Sequence, residues 1–222
     1  IIVISKRKFQ EKNMKLNKKV TILIGFAFLS ITAFWQMYDN LIPLILTDTF
    51  KIDETITGVI MAADNVLALF LLPFFGSLSD RCNSKMGKRK PFILFGTVAV
   101  VCLMTFIPIL DNSYFAEPSK FKAITFIVLL GLILVAMGTY RSPAVALMPD
   151  VTPKPLRSKG NAVINLMGAI GGILYLVATT ILYPESKTEG LEHINYLPIF
   201  AVVGFIMIAS LLVVMTYVNE PR

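Results

Sequence analysis

The chain alternates long uncharged stretches with short charged ones. Nineteen uncharged residues separate Lys19 from Asp39, twenty separate Lys90 from Asp111, and eighteen separate Lys122 from Arg141. Twenty-five lie between Lys159 and Glu185, and twenty-six run from Ile194 to Asn219. About 20 apolar residues cross the hydrocarbon core of a bilayer as helix, so each stretch reads as a span. A sixth, Thr55 to Ser79, is apolar except for Asp64. Helices are expected near 20–46, 55–79, 91–110, 122–148, 160–183 and 197–218. The fold class is all-α membrane protein, with six transmembrane helices over residues 20–222 and no room for a soluble domain.

Composition narrows the class further. Of 222 residues, 55% are hydrophobic and 16% charged, against about 25% charged in soluble domains. That excludes a disordered chain and argues against a soluble enzyme. The net charge of +7 would suit nucleic acid, but its placement decides otherwise. With the N-terminus inside, the inner segments carry sixteen Lys and Arg and the outer loops only Lys51, Lys120, Lys122 and Lys187. This is the positive-inside bias of a plasma or inner membrane protein with both termini cytoplasmic. Residues 1–19 form a basic cytoplasmic tail facing anionic headgroups. The chain starts at Ile1; either its true beginning lies upstream, or residues 1–13 are an extension ahead of a start at Met14. Cys82 and Cys102 fit no metal spacing. No metal and no cofactor is expected.

The loop after the second span is the most specific stretch. It reads Gly76-Ser-Leu-Ser-Asp80-Arg81, then Gly87-Lys88-Arg89-Lys90-Pro91-Phe92. Gly76 lets two helices approach closely, and Gly87 permits a tight reversal. This loop resembles the signature Gly-x-Leu-x-Asp-Arg-x-Gly-Arg-Arg of the major facilitator superfamily. Its longer form is similar to that of the sucrose/proton symporters and the glycoside–cation symporters. Arg141-Ser-Pro-Ala-Val-Ala-Leu-Met-Pro-Asp150 and Glu220-Pro221-Arg222 add to the likeness. The resemblance implies the N-terminal half of a twelve-helix carrier, built as a 3+3 inverted repeat, with a C-terminal six-helix half as partner. It also implies that Asp80, Arg81 and Arg89 join Asp150 and Glu220 in a charge network that closes the inner face. Such a half would not transport alone.

Asp39, Asp64 and Arg141 fall within spans, where an ionisable residue marks a functional hypothesis. At ~1.5 Å rise per residue, Arg141 stands ~13 Å, Asp64 ~24 Å and Asp39 ~30 Å above the inner edge. Asp64 either binds a coupling H+ or Na+ or makes a structural pair with Arg141 between helices 2 and 4. Burial and a neighbouring guanidinium push a carboxyl's proton affinity in opposite directions, so moving Arg141 would alter coupling. Asn65 and Asn40, beside the two acids, either supply polar ligands or satisfy backbone. Trp35, Tyr38 and Asp39 make a polar-aromatic face on helix 1. Sugar C–H faces stack on aromatic rings while hydroxyls need carboxylate or amide partners, so this face suits a carbohydrate; an aromatic belt is the alternative. Plant sucrose carriers place an acid in helix 4 before the Arg, and this chain has none there, which leaves coupling to Asp64 or Asp39.

Other features carry simpler expectations. His193 is read as a solvated loop residue, and Gly168, Gly171 and Gly172 as close helix packing. Pro43, Pro73 and Pro143 can bend their helices. The expected function is cation- or proton-coupled uptake of a sugar or glycoside by alternating access. A carrier or exporter of another solute is the alternative, ahead of a six-helix membrane enzyme or scaffold.

Overall fold

The computed structural model describes residues 16–218, with the side chain of Asp64 outside the described residues. Six long helices follow one another. They are α1 (Lys18–Leu44), α2 (Glu54–Asp80), α3 (Lys90–Ala116), α4 (Lys120–Val151), α5 (Arg157–Leu182) and α6 (Leu197–Tyr217). Each is long and apolar enough to cross a membrane. A π-helical turn, Ile45–Thr49, extends α1, and a one-turn helix, Glu185–Thr188, lies between α5 and α6.

Local signals set the ends. The Asn17 side chain accepts from Val20 N, and Asp53 accepts from Thr55 N at the start of α2. These satisfy amides that the first helical turn leaves open. Pro91 and Pro198 sit in the first turns of α3 and α6, where a missing N–H costs nothing. Pro43, Pro73 and Pro143 lie inside continuous helices. The π-turn follows Pro43 by two residues, with Phe50 N bonded to Ile45 O at 3.1 Å.

The closest packings are α1 with α5, α3 with α4, α1 with α6, α2 with α4, and α3 with α6. Exchanging α1, α2 and α3 for α4, α5 and α6 leaves that set unchanged. Three crossings separate α1 from α4, so the two run in opposite directions. The six helices are therefore two three-helix repeats of inverted topology. Their first members correspond position for position at one place. Tyr38-Asp39 in α1 and Tyr140-Arg141 in α4 stand equally far from the helix starts, Lys18 and Lys120.

Glycines permit the two tightest crossings. A Cβ on Gly171 would lie 2.0 Å from Leu29 O, and one on Gly96 2.7 Å from Tyr140 N. Backbone meets backbone at α1–α5 and α3–α4, so no side chain fits between. By contrast α2 and α5 leave apolar faces uncovered. Phe70 is 71% exposed on α2 and Ile181 69% on α5.

One end of α3 departs from expectation. The third span was expected to stop before Asp111, because a charge closed the uncharged run. The helix instead continues to Ala116, and Asp111 is fully buried within it. His193 also differs from the solvated loop residue expected. Its ring stacks on Phe115 at 4.4 Å, with its side chain 13% exposed. A charge on the sequence does not say whether it faces lipid, water or protein.

A cleft lined by both repeats and a charge knot at one end

A cleft of about 480 Å³ opens between α1, α2, α4 and α5. That size falls within the roughly 300–1,000 Å³ of small-molecule sites. Its polar lining comes from Thr32, Trp35 and Asp39 on α1, Asn65 on α2, Arg141 on α4 and Asn165 on α5. Apolar wall is supplied by Phe28, Ile31, Ala68 and Val145. Asp39 and Arg141 are the matched positions of the two repeats, so the inverted repeat presents one acid and one base to the same space.

Each group is positioned from behind. The Tyr140 hydroxyl donates to Ala27 O at 2.9 Å and shares a hydrogen bond with Ser30 Oγ at 2.5 Å. That buried bridge pins α4 to α1 one residue before Arg141. The Arg141 guanidinium carbon stands 5.6 Å from the centre of the Trp35 ring, within cation–π range. Trp35 is held edge-on by Phe34 and Tyr38, both at 5.5 Å. Its Nε1 is buried with no hydrogen-bond partner among the described residues.

Tyr38 is not part of the cleft lining. It is 1% exposed and stacked on Phe34 in the core. At 3.6 residues per turn it lies about 100° round α1 from Asp39, which turns it away from the space that Trp35 and Asp39 share. Asn40 is spent locally, its Nδ2 donating to Gln36 O at 2.6 Å. Asp64 precedes Asn65 in α2, and its side chain lies outside the described residues. Asn165 and Thr32 were not anticipated. The available signal for Asn165 was an amide in the middle of an apolar span, which is costly unless it faces protein or water.

The end of the bundle that carries the basic loop is tied by Arg89. Its residue is 6% exposed, at the start of α3. Nε donates to Asp150 Oδ2 at 3.0 Å, and the guanidinium also pairs with Asp80. Nη1 donates to Ser79 Oγ at 2.5 Å and to Gly76 O at 3.3 Å. One planar fork thus joins the ends of α2 and α4. A Cβ on Gly76 would lie 3.0 Å from Ser142 Oγ, so α2 and α4 are close here as well. Gly87 adopts φ 109°, a turn that L residues resist. Lys90 Nζ donates to Met215 O at 3.1 Å, carrying the knot to α6. Arg81 is exposed and joins no ion pair among the described residues. Glu220 and Arg222, expected beside this network, lie outside the described residues.

The model of the Major Facilitator Superfamily matches residues 24–222. The chain belongs to that superfamily. The inverted three-helix repeats and the knotted loop after α2 agree with this placement. Sucrose transport protein SUC3 of Arabidopsis thaliana is 34% identical over 138 residues, which cover 57% of this chain and 23% of that protein. Sucrose transport protein SUC4 of the same plant is 26% identical over 168 residues, covering 72% and 33%. The putative glycoside/cation symporter YagG of Escherichia coli K12 is 32% identical over 74 residues, covering 32% and 16%. Each match thus spans a third or less of the relative's own length.

Proposed function

We propose that the chain forms the N-terminal half of a cation- or proton-coupled carrier of sugars or glycosides, working by alternating access against a second six-helix half. The observation that carries this is the cleft. One indole, one acid, one base and two amides line a single space walled by both repeats. A sugar offers C–H faces to an indole and hydroxyls that both donate and accept, so it can use all of these groups. The names of the relatives, sucrose transporters and a glycoside/cation symporter, favour the same substrate class.

In this reading the basic end faces the cytoplasm, in line with the positive-inside bias. The Arg89 knot with Asp80 and Asp150 then closes the inner face and parts when the carrier opens inward; Gly76 lets α2 lie against α4, Gly87 turns the loop, and Arg81 adds charge to it. Asp64 or Asp39 takes the coupling H+ or Na+, and Arg141 links cation and sugar. The uncovered faces of α2 and α5 border the cleft and are where the second half would pack.

Uptake by the two-half carrier in proteoliposomes tests this. Asp64→Asn should keep sugar binding and lose the dependence of uptake on pH. Unchanged pH dependence removes Asp64 from coupling. Accumulation of sugar by the 222-residue chain alone would contradict the need for a second half.

A further inference from the structure

We propose that Asp111 and His193 form a proton-binding site at the end of the bundle away from Arg89, and that its proton holds the α5–α6 connection onto α3. Asp111 is fully buried, and neither carboxylate oxygen has a hydrogen-bond partner among the described residues. The Thr49 hydroxyl faces it from the π-turn without closing to hydrogen-bond geometry. An ionised carboxylate so placed is sustained only by a countercharge or a proton. The group at hand is His193, whose Nε2 lies 3.7 Å from Asp111 Oδ2.

The proton on His193 Nε2 follows from the bonds around it. Leu197 N, a backbone donor at the start of α6, points at Asn195 Oδ1 at 3.0 Å. That atom is therefore the oxygen of the amide. Asn112 Nδ2 donates to the same oxygen at 2.9 Å, so the other arm of Asn112 is its carbonyl. His193 Nε2 meets that carbonyl at 2.8 Å and must donate to it. The Nε2–H thus points to the Asn112 carbonyl, and Asp111 Oδ2 stands 3.7 Å from the same nitrogen without a hydrogen bond. With that N–H in place, the couple is neutral acid beside neutral imidazole, or carboxylate beside imidazolium. Both forms hold one exchangeable proton. Losing it leaves a carboxylate buried beside a neutral ring.

Other titratable groups around the couple are accounted for. Lys122 of α4 donates to Ser113 O at 2.9 Å and Glu117 O at 2.8 Å, with the Glu117 carboxylate 3.7 Å away. Asp48 of the π-turn and Tyr183, just past α5, act on Tyr196 beside the couple. The Tyr196 phenol is pushed up to about 12, by burial first and then by the Asp48 and Asp111 carboxylates. It keeps its proton over the range that matters. When the connection lifts, Asp111 meets water and ionises at ordinary pH. The packed state then holds one proton more than the open state, so packing is favoured at low pH and weakens as pH rises.

Amide hydrogen exchange of residues 185–196, in the 222-residue chain held in lipid nanodiscs, tests the proposal. Each rate is divided by that of Asp111→Asn at the same pH, which cancels the intrinsic chemistry. The ratio should stay near unity in acid and climb severalfold by alkaline pH. His193→Gln keeps the donor to Asn112 but takes no proton, so its climb should begin at lower pH. A flat ratio overturns the proposal. A climb that His193→Gln leaves unmoved removes the histidine and overturns the pair.

Discussion

At one end of the bundle a guanidinium, Arg89, is shut from water between two carboxylates that remain 61% and 40% exposed. At the other end a carboxylate, Asp111, is shut from water beside one imidazole. Both couples tie α3 to its neighbours. They differ in what can release them. A guanidinium keeps its charge at any ordinary pH, so the Arg89 knot parts only when helices move. The Asp111 couple depends on a proton that solvent can take. Two fastenings of similar reach therefore answer to different signals.

The largest test of that contrast is Arg89→Ala. It should lower the stability of the chain in detergent by about 2–3 kcal/mol, from lost charged hydrogen bonds and an opened pocket. Thermal unfolding should show the same loss at pH 6 and pH 8, because a guanidinium keeps its charge across that range. Arg89→Lys should recover only part, since an ammonium cannot serve Asp80, Asp150 and Ser79 from one plane. A smaller effect is expected at the other end from Asn195→Ala. It uncaps Leu197 N and frees the Asn112 amide to turn, for about 1 kcal/mol. It should also flatten the pH dependence of exchange in residues 185–196. Asp80→Asn should cost least, under about 0.5 kcal/mol, because that carboxylate is mostly solvated. A larger loss from Asp80→Asn would mean that the knot draws its strength from the exposed side.

Sequence carried the membrane architecture because the bilayer enforces it. Backbone groups must be satisfied within each crossing, so runs such as 160–184 can hardly be anything but helix. The loop from Gly76 to Lys90 was legible for a related reason, since its glycines and paired charges have few other uses at that spacing. Side-chain direction was not legible. Tyr38 and Asp39 are neighbours on the chain, yet one enters the core and the other the cleft. Asp111 looked like the end of a span because a charge in sequence shows neither burial nor partner. His193 looked solvated because Phe115 and Asn112, which hold it, lie some eighty residues away. The match of Tyr38-Asp39 with Tyr140-Arg141 was present in the sequence, but gained meaning only from the packing of α1 and α4.

Trp35 is the chain's one tryptophan, and it stands in the cleft with Arg141 over its face. Its emission therefore reports on the proposed sugar site with no other source of signal. Titration of the chain in nanodiscs with sucrose should change that emission saturably, and Arg141→Gln should abolish the saturable response. Emission that sucrose never alters, or that responds identically in Arg141→Gln, would contradict a sugar site in this cleft.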